Sequence, residues 1–184
     1  MNIIVRSAEG AYFVRPDTTW ERDSEDFYPP ETVTGLLWTP VLFAHISKPG
    51  RSISARFARR YFDGIGSGVL LYPEDQLDGR PDSIARASCL DHTSFLPFPT
   101  AQPSGGCRFS VSKDGATLFE GSGIFDESIC KAIEEASRYI YLRHGDILAL
   151  ELKMPEMLMP RTDGESEIRL QYNGLPAVSF RIIF

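Results

Sequence analysis

Only one stretch of this chain carries a sustained helical pattern. Ile129, Ala132, Ile133, Ala136 and Ile140 recur at helical spacing between Glu127 and Tyr141, with Asp126 or Ser128 placed to cap the start. Elsewhere 15 glycines and 13 prolines cut the 184 residues into short apolar runs separated by turns. Such punctuation favours a β-rich fold with turns.

Two turn signals are strong. Asp114-Gly115 lies between Arg108–Val111 and Ala116–Phe119, and Asn173-Gly174 lies between Ile168–Tyr172 and Ala177–Phe184. Asn and Asp followed by Gly supply the left-handed pair that a two-residue hairpin needs. Ile3–Val5 and Ala11–Val14 read as short strands, and residues 15–36 as a polar, Pro-rich loop. Leu36–Ile46 is a longer strand in which Pro40 predicts a bulge or an edge, because proline cannot donate to a ladder. Ser52–Tyr61 reads as a short helix capped by Ser52 or Ser54, and Ile65–Tyr72 as a buried strand. Gly64, Gly66 and Gly68 there allow close backbone approach. Residues 73–108 are irregular, 143–146 a turn, Ile147–Leu152 a strand and 153–165 a loop bearing Met and Pro. The order gives an α+β, mainly β fold in one domain spanning 1–184, with two or three short helices.

Apolar residues at 42% and charged residues at 24% are ordinary globular usage. A net charge of −6 weighs against nucleic acid as a partner. No run approaches the roughly 18 apolar residues of a membrane span, and Met1–Glu9 lacks a signal-peptide core. Cys89, Cys107 and Cys130 are odd in number and show no CxxC spacing; they read as reduced thiols of a cytoplasmic protein.

Local chemistry is sparse. His45, His92 and His144 form no metal pattern, and no nucleophile elbow, P-loop or dinucleotide fingerprint occurs. The weak candidates for ligand binding are Asp75, beside Glu74 after a strand, and the neighbours Asp91 and His92.

Several stretches in series resemble the fumarylacetoacetate hydrolase family, in particular its short bacterial members. Tyr12-Phe13-Val14-Arg15-Pro16-Asp17 resembles a strand ending in Phe-x-Lys-Pro. Gly50-Arg51-Ser52-Ile53 leading into Arg56–Asp63 resembles the helix before the central strand, and Leu90-Asp91 the Phe-Asp that follows a lysine. Asp114-Gly115, the helix to Tyr141 and His144-Gly145-Asp146-Ile147-Leu148 resemble its hairpin, second helix and Pro-Gly-Asp-Ile-Leu turn. The resemblance covers about residues 11–184. It implies a mixed β-sandwich or roll, a homodimer or pairing with an active paralogue, and hydrolysis or decarboxylation of acylpyruvate-like β-diketo acids on Mg²⁺ or Mn²⁺.

The residues depart from that pattern where chemistry is expected. A metal-binding Glu-x-Glu falls on Thr39-Pro40-Val41 and the later Asp on Leu70. Residues 36–47 and 64–73 contain no Asp or Glu at all. The lysine falls on Ser88, the start that supplies a base falls on residues 5–10, and Thr-Gly-Thr-Pro falls on Leu150-Glu151-Leu152-Lys153. A hard divalent ion needs several oxygens converging at about 2.0–2.6 Å. The sequence therefore predicts no metal or other cofactor, no catalytic residue, and a non-catalytic family member that binds a ligand or a protein. The alternative is a repurposed or residual hydrolase or decarboxylase acting on β-diketo acids through Asp75, Asp91, His92 or Cys89 in the old cleft.

Overall fold

The computed structural model describes residues 1–80, 82–97, 106–123 and 125–184. Its strands are β1 (Ile3–Arg6), β2 (Tyr12–Arg15), β3 (Trp20–Glu21), β4 (Gly35–Ile46), β5 (Phe62–Pro73), β6 (Ser94–Phe95), β7 (Cys107–Lys113), β8 (Ala116–Gly123), β9 (Ile147–Glu151), β10 (Glu156–Pro160), β11 (Glu165–Tyr172) and β12 (Leu175–Ile183). Three short helices accompany them among the described residues: α1 (Ala55–Ala58), α2 (Ser83–Ala87) and α3 (Asp126–Ser137). The α+β, mainly β expectation holds.

The strands form two sheets. Eight lie in the order β2-β1-β9-β4-β5-β6-β3, with β10 also paired to β4; the other four lie in the order β12-β11-β7-β8. The large sheet is mixed: β1 runs parallel to β9 and β3 parallel to β6, the rest antiparallel. Its two outermost strands are consecutive in sequence. Only residues 16–19 separate the end of β2 from the start of β3, so the opposite edges lie within about 18 Å of each other. The sheet must curl into a roll.

Side chains alternate between the faces of this roll. One face is covered at one end by the small sheet, where Trp38, Leu71 and Phe95 meet Leu170, Phe180 and Ile182. At the other end α3 lays its predicted stripe, Ile129, Ala132, Ile133 and Ala136, on Ile4, Ala44 and Leu148. The opposite face lies inside the roll. Ile3, Val5, Val41, Phe43, Leu70 and Tyr72 share one cluster there with Ala87 and Leu96. A buried side chain of this size contributes about 1.5–3 kcal/mol, so the three clusters dominate the stability.

Both predicted hairpins form. Asp114 and Gly115 have φ of 50° and 83°, Asn173 and Gly174 50° and 78°. Each hairpin is also stitched to a neighbouring strand. Asp114 exchanges backbone and carboxylate bonds with Glu167, and Asn173 exchanges backbone and side-chain amide-oxygen bonds with Arg108, at 2.6–2.9 Å.

Other expectations are corrected. Pro40 lies neither at the sheet's edge nor at a bulge; the irregularity of the β4–β5 ladder falls between His45 and Ile46. On one side of β4, β10 pairs up to Trp38 and β9 begins at Val41. Pro40 sits in that gap, where its carbonyl accepts from the Leu152 amide at 3.0 Å and no donor is required. The helix expected over 52–61 is confined to Ala55–Ala58. Ser52 has φ 53°, and Ser137 takes the amides of Ser52 and Ile53, which ties this segment to the end of α3. Phe125 precedes α3 with no side-chain cap, and Asp126 instead pairs with Arg59. The loops expected at 15–36, 73–108 and 153–165 each hold short pieces of regular structure, β3, α2, β6 and β10 among them; residues 81 and 98–105 of the second lie outside the described residues. No helix among the described residues is long and apolar enough to cross a membrane.

Candidate functional site

The inner face of the roll brings the departures from the family pattern together. Thr39 pairs with Leu70 and Val41 with Glu151, so all four side chains point to one side, that of Tyr72. Arg15 joins them through its pairing with Ile3. Thr39, Val41 and Leu70 are fully buried. Thr39 donates to the Lys153 carbonyl at 2.6 Å.

Beside Thr39, the polar side chains of Arg15, Tyr72 and Glu151 are buried in this apolar setting. Arg15 is 0% exposed and closes the seam of the roll: from β2 its Nη2 reaches the Leu71 carbonyl at 3.0 Å and Thr93 Oγ1 at 2.6 Å. Its guanidinium lies 4.8 Å from the centre of the Tyr72 ring, and its Nε and Nη1 find no partner. The Tyr72 hydroxyl donates to Glu151 Oε1 at 2.6 Å, and the Ala8 amide to Glu151 Oε2 at 3.2 Å. Burial dominates the acid–base behaviour of all three. It pushes the Tyr72 hydroxyl well above its ordinary pKa and lowers that of Arg15. It also raises Glu151, against the opposing pull of Tyr72, Ala8 and Arg15.

Glu151 forms part of the wall of a cleft of about 350 Å³. The turn from β1 to β2 contributes Ser7, Glu9 and Ala11; the segment into α2 contributes Leu77 and Ile84. Tyr12, Phe13, Met154 and Pro155 add apolar wall. Leu70 and Val41 pack beneath in the inner cluster, whereas Leu71 faces the small sheet.

Asp75, Asp91 and His92 lie outside this cleft. Asp75 is exposed in a single 3-10 turn and takes a hydrogen bond from Gln76. Asp91 is exposed. His92, with φ 60°, pairs with Glu21 beside a second cavity of about 320 Å³ that Glu25, Asp26 and Tyr28 also line. Asp146 is fully buried, and both carboxylate oxygens accept backbone amides, of Asn2 and Arg143, each at 2.8 Å; it holds a turn together. Ser88 ends α2 fully buried with no partner for its hydroxyl. Cys89, Cys107 and Cys130 are free, and Cys89 donates to the Ala85 carbonyl. His45 and His144, remote in sequence, place their rings 6.2 Å apart, with His45 bonded to Asp63 at 2.8 Å. Among the described residues no three His, Cys, Asp or Glu side chains are grouped to share a metal ion.

The motif resemblance covers Arg15 and Glu151 without assigning either a role, and Tyr72 reads in the sequence as an ordinary strand residue. Their polarity within apolar runs was the available signal.

No protein-family model matches the chain, and no curated protein does. Solved structures do match it closely in shape. Fumarylpyruvate hydrolase from Pseudomonas aeruginosa, solved with Mn²⁺ and pyruvate, superposes with a TM-score of 0.83 at 17% identity over 100% of this chain and 90% of its own. A protein from Yersinia pestis described as of the fumarylacetoacetate hydrolase family gives 0.81 at 18% identity over 99% and 92%. 5-Carboxymethyl-2-hydroxymuconate delta-isomerase from Mycobacterium smegmatis gives 0.80 at 17% over 99% and 76%. The fold of this chain is that of the fumarylacetoacetate hydrolase family.

Proposed function

We propose that this chain is a member of that family which has given up metal-dependent chemistry and works by binding a small molecule in the cleft beside Glu151. One observation carries the reading. The inner-face positions that the resemblance assigns to metal ligands are Thr39, Val41 and Leu70, side by side and fully buried without a carboxylate. Glu151, paired opposite Val41, is already held by Tyr72 and Ala8. That donor set does not fit Mg²⁺ or Mn²⁺, which are bound through several hard oxygens. Family chemistry polarises a diketo oxygen on the metal while a base activates water, and the side chains for neither task converge here. Binding needs less: a concave, mostly apolar wall with a few placed polar groups, which the cleft supplies.

A homodimer belongs to the same proposal; Phe57 on α1 and Tyr139 and Tyr141 beyond α3 expose large rings that a second copy could cover. Sedimentation of the purified chain checks it.

The central test is a thermal melt of the EDTA-stripped chain with and without millimolar Mg²⁺ or Mn²⁺, run beside an assay on acylpyruvates with the same ions. Occupancy at about 100 times the dissociation constant would stabilise the fold by about 2.7 kcal/mol. The proposal expects no shift and no turnover. A saturable shift with family-like turnover would overturn it.

A further inference from the structure

Building on the binding role just proposed, we infer that the cleft receives a small molecule bearing an amine on an apolar body, the opposite charge to the β-diketo acids the resemblance implies. The cleft's ionisable lining is acidic. Glu151 stands in its wall and Glu9 at the exposed β1–β2 turn, and no Lys, Arg or His among the described residues lines it. Residues 81, 98–105 and 124 carry no ionisable side chain.

The cations nearest in sequence to the lining have acidic partners of their own, Arg80 among them, which is exposed and 3.5 Å from Asp78. Arg6 pairs with Glu135 at 3.2 Å, and Arg86 with Asp78 at 3.1 Å. Lys153 pairs with Glu156 and lies 4.2 Å from the centre of the Trp38 ring. Arg15 is wholly buried against Tyr72, so no ligand reaches it.

Glu151 has acceptor capacity to spare. A carboxylate offers about four lone-pair sites, and Tyr72 and Ala8 occupy one on each oxygen. An ammonium group donates to the remainder through charge-assisted bonds. Tyr12, Phe13, Leu77 and Met154 provide the surface for an apolar body. A ligand carboxylate would find no cationic side chain in this lining and would face Glu9 and Glu151.

The test uses the full chain and two probes with the same ring and opposite charge, 2-phenylethylamine and 3-phenylpropionate, titrated by calorimetry at millimolar concentration. The amine is expected to bind saturably and the acid not to bind. Glu151→Gln keeps a cooperative melt and weakens the amine by about tenfold or more, and the exposed Glu9→Gln, which touches no core residue, weakens it by a smaller factor. Equal or preferential binding of the acid, no binding of the amine, or amine binding unchanged in both variants overturns the inference. The acylpyruvate assay on the same sample separates the two readings. Turnover defeats the binding role itself; no turnover together with no amine binding defeats only the ligand class.

Discussion

Tyr72 and Glu151 sit on strands that are not neighbours, yet the Tyr72 hydroxyl donates to Glu151 Oε1 at 2.6 Å, with β4 running between them. Both groups are shut away from water, Tyr72 completely and Glu151 all but 8%. Truncating one partner of such a bond leaves the other unsatisfied, which costs more than the bond's net worth. Tyr72→Phe is therefore expected to lower stability by about 1–3 kcal/mol, read by urea denaturation, with the fold retained. A change within a few tenths of zero would mean that Glu151 is not held by this bond.

The pH dependence of stability should carry two arms of opposite sign. Burial raises the folded pKa of Glu151 above its usual 4.5, so the folded chain holds that proton more tightly than the unfolded chain does. Its contribution is complete below 4.5 and is lost as pH rises through the folded value. Asp26 behaves oppositely. The bonds from Arg181 hold its carboxyl below 3.8, so its contribution is present above 3.8 and disappears as pH falls through the folded value. In denaturation midpoints against pH, Glu151→Gln should flatten the loss above 4.5, and Asp26→Asn should flatten the acid limb. Identical profiles for wild type and Glu151→Gln would contradict the raised pKa.

Arg15 and Glu151 make no ion pair, yet the buried Arg15 charge acts on Glu151 past the Tyr72 ring between them. Arg15→Met keeps an unbranched apolar stem but removes the guanidinium, its bonds to the Leu71 carbonyl and Thr93, and the positive charge that acts on Glu151. The Leu71 carbonyl and the Thr93 hydroxyl lose a buried donor, and the expected loss is about 1–3 kcal/mol. In a Glu151→Gln background the loss should shrink by about 0.5–3 kcal/mol. A double-mutant cycle measures this coupling, and strict additivity would dissolve the triad into three independent residues.

What was legible beforehand follows the range of the forces involved. The Asp114-Gly115 and Asn173-Gly174 turns are set by local backbone preference, and the α3 stripe by a period of a few residues, so both stand in the sequence. Pro40 departs from the expected bulge or edge because its tolerance depends on β10 ending and β9 beginning opposite it, more than 100 residues away. The helix is shorter than the 52–61 pattern implies because Ser137, from a distant helix, claims the amides of Ser52 and Ile53. The same limit governs the site. Asp75, Asp91 and His92 stood out by residue type and lie on exposed segments away from the cleft. Arg15, Tyr72 and Glu151 meet only because the sheet order sets β9 and β5 on either side of β4 and the roll brings β2 round to Thr93. No spacing along the chain announces that meeting.

Gly66 and Gly68 on β5 offer a final test, of how tightly the roll is wound. A Cβ on Gly66 would lie 2.4 Å from Cζ of Phe43, itself 1% exposed, so the ring would have to shift within a packed cluster. A Cβ on Gly68 would lie 2.4 Å from the carbonyl oxygen of Phe95, and that is backbone of the adjoining β6. A ring can rotate or slide by a few tenths of an ångström, whereas a strand can move only by disturbing its ladder. Overpacking of this kind typically costs about 1–3 kcal/mol. Gly68→Ala should therefore lose more stability than Gly66→Ala, with the larger value at or above the top of that range. Chemical denaturation of the two variants gives the order, and the reverse order would mean that β6 is held less firmly against β5 than the Phe43 ring is held in the core.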